Sequence, residues 1–212
     1  MSLKEEKESL RKSVYDSLFE NGFSKRPNGD YGKIPDFIGS DIAAQLLAST
    51  PEWKNSKTIF VSPDSAQIPV RYLALKDNKN LIMASPNLEH GYLFLEASQL
   101  KGFEKEASTK EGAFKYANEE KTDLLNKGEN NEFSVDMVVE GAVAVDKSGN
   151  RIGKGKGYGD REIEDLLNRK FIDNNTRLLT TIHPLQLVSH VPMEIHDRKL
   201  NMIVTSKEIF RI

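Results

Sequence analysis

Cysteine is absent from the 212-residue chain, which excludes disulfide frameworks, thiolate zinc sites and cysteine nucleophiles. Histidine is scarce: His90, His183, His190 and His196 show neither HExxH nor comparable ligand spacing, so they read as surface or hydrogen-bonded residues rather than a zinc set. No apolar run approaches the length of a membrane span, and the leading MSLKEEKESL is charged, unlike a signal sequence. Neither sign of charge dominates, with 30 Lys and Arg against 32 Asp and Glu and a formal net charge of -2. No global field therefore draws the chain to nucleic acid or to an anionic membrane, and any basic site has to be local. What remains is the expectation of a soluble, cytoplasmic protein whose 38% hydrophobic content supports a sizeable core in a single domain spanning 1–212.

Periodicity supplies the organisation. Leu10, Val14 and Leu18 recur every fourth residue before Asn21-Gly22, which predicts a first helix and its stop. After a polar link containing Pro and Gly, Ser40 or Asp41 is placed to cap a second helix, DIAAQLLAST. The chain then alternates strand KTIFV, turn SPDSAQ, helix PVRYLALKDN opening on Pro69, and strand NLIMAS, a β-α-β unit. Alternation resumes with VDMVVEG, AVAVD, a turn at Lys147 to Asn150, a glycine loop, helix DREIEDLLNRK, and strands RLLTTIH and NMIVTS. Such repetition predicts an α/β fold in layers, a mostly parallel sheet flanked by helices. The intervening residues 101–132 are charged and only partly helical in pattern, an excursion from the sheet that reads as a lid or an interface.

The loop RIGKGKGYGD carries the most chemistry. Glycine at alternate positions bares the backbone N–H groups, and interleaved lysines suit an anion. It is not a Walker A loop, because no GK[ST] closes a Gly-x4-Gly frame, and it does not fit GxGxxG. On residue chemistry alone it is either a phosphate-binding loop or a flexible surface turn. Asp160, at its end, either caps the following helix or holds a divalent cation. Asp64, after the first strand, and Arg71, just inside the next helix, lie where ligands gather at the carboxyl ends of parallel strands. His196-Asp197 reads as a pair fixing the turn before the last strand.

The run VDMVVEGAVAVDKSGNRIGKGKGYGDREIEDL resembles the signature of the 5-formyltetrahydrofolate cyclo-ligase family, also called methenyltetrahydrofolate synthetase, whose loop commonly reads GRGKGYYD. The segment VPMEIHDRKLNMIVT is similar to that family's P-x-E-x-H-D and final strand, and KESLR places Lys7 and Arg11 like the family's Lys-x3-Arg. The segments PDFIGSDIAAQLL and VSPDSAQIPVRYLALKDNKNLIMASP resemble the methenyltetrahydrofolate synthetase domain-containing branch and its microbial relatives. Three departures accompany the resemblance: SAQIPV holds no glutamate where the enzymes carry a Glu-x-x-Thr step, the lone tryptophan is Trp53 instead of a mid-chain residue, and the loop's second tyrosine is Gly159.

The resemblance implies the layered fold this family shares with sugar-phosphate isomerases and CoA transferases. It implies an ATP- and magnesium-dependent closure of 5-formyltetrahydrofolate, or a related reduced pterin, to the 5,10-methenyl form, within one-carbon metabolism. Lys7, Arg11, Gly153, Lys154, Gly155, Lys156 and Gly157 would then hold the phosphates, with Lys156 and Tyr158 as catalytic candidates and Asp160 as the magnesium contact. Lys7 and Arg11, one turn apart, share a helix face; without the resemblance they are equally read as solvated, and Tyr158 as packing. The three departures fall on the folate side, so a nucleotide-binding or regulatory module without folate turnover stands as the alternative. RNA binding has no motif to support it, and oligomeric state is left open.

Overall fold

A computed structural model of the protein describes residues 2–85, 88–128, 133–194 and 197–212. Helix α1 (Leu3–Glu20) opens on a capping box in which Ser2 and Glu5 exchange hydrogen bonds between side chain and backbone, which satisfies two otherwise orphaned N–H groups. It buries Val14, Tyr15 and Leu18. Helix α2 (Ser40–Ala48) is capped by Gly39 in a left-handed conformation, φ 93°, and not by Ser40 or Asp41; the Ser40 hydroxyl instead accepts from Lys25 Nζ at 2.7 Å. A short α3 (Pro51–Asn55) carries Trp53, whose indole N–H donates to Asp77 at 2.8 Å.

Strand β1 (Thr58–Val61), helix α4 (Ile68–Lys76) and strand β2 (Asn80–Ala84) form the expected β-α-β unit. Strand β3 (Tyr92–Leu95) runs antiparallel to β2. The described part of the charged excursion, 101–128, holds three short helices, α5 (Glu104–Ala107), α6 (Lys110–Tyr116) and α7 (Glu119–Lys127), and residues 129–132 lie outside the described residues. Then come β4 (Met137–Val139), β5 (Ala144–Asp146), β6 (Arg151–Ile152), α8 (Tyr158–Asn168), β7 (Arg177–Ile182), β8 (Leu187–Val188), β9 (Met202–Thr205) and β10 (Ile209–Arg211).

Seven strands make the main sheet in the order β10-β9-β7-β4-β1-β2-β3. The five inner strands are parallel, and both edges are antiparallel. Apolar residues on both faces mark the inner strands as covered twice. Side-chain alternation sends Ile59, Val61, Leu81 and Met83 toward a core with Trp53, Val70 and Ala107. Phe60, Ile82 and Val138 go the other way, against Leu125 of α7 and Ile163 and Leu166 of α8. Helix-sheet-helix layering follows from period-2 alternation in strands that are apolar throughout.

A second sheet, β6-β5-β8, stands beside the main one. Asp146 closes its hairpin by accepting from the Ser148 and Asn150 amides. Helix α1 packs Val14 and Leu18 on its face with Val143, Ala144 and Ile152. That packing places Lys7 and Arg11 beside the loop that follows β6.

Candidate functional site

A cavity of about 870 Å³ opens over the loop between β6 and α8, at the carboxyl ends of β1, β2 and β4. Switch points of parallel sheets place ligands there, because several loops diverge at that edge. Its rim is formed by α1, the glycine loop and the start of α8, and Lys110 of α6 also lines it.

The loop backbone supports the anion reading. Gly155 and Gly157 adopt φ of 94° and 66°, conformations that L-side chains resist and that turn successive N–H groups to one side. Gly157 is the N-cap of α8, so the loop delivers whatever it binds to a helix amino terminus, where orphan N–H groups and the macrodipole favour negative charge. Asp160 is therefore not the cap; it lies in the first turn of α8. Its Oδ1 accepts from Arg151 at 2.9 Å and from the Arg198 amide at 3.3 Å, while Oδ2 has no partner among the described residues.

The four candidate cations differ in their engagement. Lys7 Nζ bonds Glu194 at 2.9 Å and Asp197 at 2.7 Å. Burial pulls its pKa down, but those bonds prevail and the net shift is upward. Arg11 donates from Nε to Gly153 O at 2.8 Å and from Nη1 to Glu8 at 2.5 Å, clasping the loop to α1. Lys154 lies 3.6 Å from Asp64. Lys156 is exposed on the loop and forms no ion pair among the described residues. The Tyr158 ring carries two cations over it, Lys154 at 5.9 Å and Arg161 at 4.8 Å.

Asp64 lines the cavity and receives the Ser62 hydroxyl at 3.1 Å. Arg71 does not face it. Its side chain is wholly buried, donating from Nε to Ser108 O at 2.7 Å and from Nη1 to the carbonyls of Ser62 and Asp64. It is a strut between the exit of β1 and the α5–α6 junction, because buried carbonyls there need a donor. Burial lowers its pKa to about 10, so it stays charged at neutral pH.

The floor contains residues that motif reasoning passed over. Glu140, at the end of β4, and Glu162, in the second turn of α8, are both buried and both line the cavity. Burial, then the charge of Glu162, holds the Glu140 carboxyl well above the usual range; burial and the charge of Asp64 push Glu162 up to about 8. Arg151 joins them, donating to Gly141 O at 3.0 Å. The signal for Glu162 lay in its spacing, four residues from Tyr158 and from Leu166 on one helical face. Asp197, read as a turn residue, is the nearer partner of Lys7; His196 lies outside the described residues.

A polyphosphate fits this arrangement: bared N–H groups, a helix amino terminus and unpaired Lys156 face one space. Among the described residues no three His, Asp or Glu side chains gather as a metal-ligand set. Magnesium, which typically keeps waters and takes one or two carboxylates plus phosphate oxygens, is compatible with the free Asp160 Oδ2.

The sequence model of the 5-formyltetrahydrofolate cyclo-ligase family matches residues 3–206. The chain belongs to this family. This cyclo-ligase family chain is 30% identical over 210 residues to the methenyltetrahydrofolate synthase domain-containing protein of Mus musculus, covering 96% of itself and 54% of that protein. The Bos taurus counterpart is 29% identical, with 96% and 53% covered; the chain thus spans about half the length of these curated relatives. It is also 25% identical over 208 residues to the probable 5-formyltetrahydrofolate cyclo-ligase of Schizosaccharomyces pombe, covering 92% of the chain and 98% of that protein. In fold it matches the solved structure of Aquifex aeolicus 5,10-methenyltetrahydrofolate synthetase with a TM-score of 0.58 at 23% identity, covering 97% and 92% of the two chains. The Mycoplasma pneumoniae 5,10-methenyltetrahydrofolate synthetase gives 0.52 at 14% identity, covering 93% and 97%.

Proposed function

We propose that the chain is an ATP- and magnesium-dependent cyclo-ligase that closes 5-formyltetrahydrofolate, or a related reduced pterin, to its 5,10-methenyl form. The observation that carries this reading is the single cavity wall on which the glycine loop, the amino terminus of α8 and Lys156 converge. Family membership supports this reaction class. ATP would supply the phosphoryl group that converts the formyl oxygen into a leaving group.

The chain's own residues then have positional and electrostatic tasks. N–H groups of Gly153 to Gly157 with Lys154 and Lys156 would neutralise charge on the phosphates, and Asp160 would hold magnesium against them. Arg11 fixes the loop from α1 through Gly153 O. Lys7 and its two carboxylate partners wall the same side. Tyr158, with two cations over its ring, would offer its ring and hydroxyl to the cavity.

A specific observation favours the second reading, a nucleotide-binding module without folate turnover. In SAQIPV, Ala66 and Gln67 are both buried, and the Gln67 amide is consumed internally, accepting from Thr181 Oγ1 at 2.7 Å and donating to Thr181 O at 3.4 Å. No carboxylate is offered to a ligand there, and a Glu introduced at either position would be buried.

Absorbance of the methenyl product, followed with Mg-ATP and 5-formyltetrahydrofolate, separates the two. ATP-dependent product that vanishes in Lys156→Ala and Asp160→Ala supports the ligase. Nucleotide binding with no turnover of any reduced folate replaces it with the binding module.

A further inference from the structure

Lys110, the first residue of α6, lines the cavity, is exposed and forms no ion pair among the described residues. Lys4, Lys156 and Arg161 also line the cavity and have no ion pair there. Those three belong to α1, the glycine loop and α8, the elements that surround the phosphate site. Lys110 alone comes from the excursion between β3 and β4.

Its place is held by the fold. Helix α6 packs against β3, with Ala113 in one core cluster with Leu93 and Leu95. Just before α6, the carbonyl of buried Ser108 accepts from Arg71 Nε at 2.7 Å, and the same guanidinium bonds the carbonyls of Ser62 and Asp64 at the exit of β1. Thr109 Oγ1 caps the helix by accepting from the Gly112 amide at 3.0 Å. A Cβ on Gly112 would run into the carbonyl oxygen of Glu106, so the tight α5–α6 turn depends on that glycine.

The cavity extends across several strand ends. At one, the start of α8 lies beside Glu140 of β4, where a Cβ on Gly159 would come within 2.9 Å of Oε2. Ser62 to Asp64 after β1 and Ser85 after β2 continue the lining. In the strand order β4-β1-β2-β3, two steps of about 4.8 Å carry it about 10 Å from β4 to β2, toward the strand on which α6 packs. A phosphate chain held by the glycine loop therefore leaves Lys110 for a second anionic group.

The cyclo-ligase reading, on which this inference rests, brings two ligands into the cavity. ATP carries its negative charge on the phosphates alone. A reduced pterin nucleus is uncharged, but in a folate it bears an aminobenzoyl ring and a glutamate whose two carboxylates are ionised at neutral pH. We propose that Lys110 is a specificity-determining residue that binds a carboxylate of this glutamyl tail, so that the substrate is a reduced folate and not a tail-less pterin. An ammonium on a flexible stem donates to a carboxylate through charge-assisted hydrogen bonds, without fixing the tail in one pose.

Calorimetric titration tests it with three probes: 5-formyltetrahydrofolate, Mg-ATP, and 5-formyl-6-methyltetrahydropterin, which keeps the bicycle and lacks the tail. The proteins are wild type, Lys110→Ala, Lys110→Arg and, as a control, Lys101→Ala, which removes an exposed lysine of the same excursion that does not line the cavity. Wild type should bind 5-formyltetrahydrofolate more tightly than the tail-less pterin. Lys110→Ala should weaken 5-formyltetrahydrofolate about tenfold, as the loss of one charge-assisted hydrogen bond does. It should leave the tail-less pterin and Mg-ATP within about twofold, melt like the wild type, and raise KM for the folate with kcat unchanged. Lys110→Arg should keep most of the folate affinity, and Lys101→Ala all of it. Unaltered folate binding in Lys110→Ala overturns the proposal and leaves the ligase reading standing. So does equal weakening of the tail-less pterin, a loss of Mg-ATP affinity in place of folate affinity, or the same loss in Lys101→Ala. Absence of 5-formyltetrahydrofolate binding to the wild type, with Mg-ATP still bound, overturns both.

Discussion

Arg11 of the first helix donates its Nε–H to the carbonyl oxygen of Gly153, 2.8 Å away and 142 positions along the chain. Its guanidinium carbon also sits 3.4 Å from where a Cβ on Gly155 would be, so one side chain sets the position of the loop from below. Arg11→Lys keeps the charge but cannot reproduce the planar fork. It should lower Mg-ATP affinity by about tenfold, the equivalent of one charge-assisted hydrogen bond. Equal affinity by calorimetry would mean that the loop holds its shape without α1.

Lys156 tests the opposite case. Its side chain is exposed and has no ion pair among the described residues, so Lys156→Ala should change stability by less than about 0.5 kcal/mol. Nucleotide affinity and turnover should nevertheless fall, by about tenfold or more. Thermal melting and calorimetry on one preparation check both halves, and a variant that binds Mg-ATP like the wild type removes Lys156 from the phosphate site.

Stability should decline with rising pH because of the acid floor. The Glu162 carboxyl has an ordinary value of 4.5 and is raised to about 8 in the fold, so between those values the native state holds a proton that the unfolded chain has released. Stability is therefore fullest below pH 4.5 as far as this group is concerned, and it is lost as pH climbs toward 8, with a slope of up to about 1.4 kcal/mol per unit. Urea midpoints measured from pH 5 to 9 should fall across the window in the wild type and fall less in Glu162→Gln. Parallel curves would show that the group titrates normally.

Gly159→Ala is expected to destabilise by about 1–3 kcal/mol through overpacking, since the new methyl meets Glu140 Oε2 and Arg151 Nη2. Combined with Glu140→Ala it should be tolerated much better. A double-mutant cycle in urea measures the coupling, and simple additivity would show that the two sites do not share the space.

Arg71→Met should cost about 3–5 kcal/mol, because it strips donors from the carbonyls of Ser62, Asp64 and Ser108. Any loss of catalysis should track the lowered melting temperature, and activity recovered on cooling would agree with a strut. A large rise in KM in a fully folded variant would restore Arg71 to the substrate side.

The layered fold was legible because β1, β2, β4 and β7 are short apolar runs separated by helical periodicity, which the core burial then realises. Strand β3 escaped: YLFL is apolar without alternation, four residues long and followed by a charged segment, so period alone did not separate it from helix. The two-residue strands β6 and β8 owe their state to pairing with β5, a tertiary effect invisible to local propensity. In the site, the glycine loop announced itself by composition, whereas Glu140 and Glu162 looked like ordinary charged residues. What makes them unusual is the desolvation supplied by chain segments far away in sequence, and the same holds for Arg71, whose Nε partner is the carbonyl of Ser108, 37 positions on.

The bonds from Lys7 to Glu194 and Asp197 span 187 and 190 positions. During synthesis, residue 7 leaves the ribosome long before its partners exist, so α1 must wait for Glu194 and Asp197 before its wall of the cavity can close. On the proposed reading, nucleotide would stabilise only chains that have passed that point. A nascent chain stalled earlier, however well its sheet has formed, offers no finished pocket to bind, and truncation or delay near residue 197 should act on ligand-dependent rescue before it acts on the core.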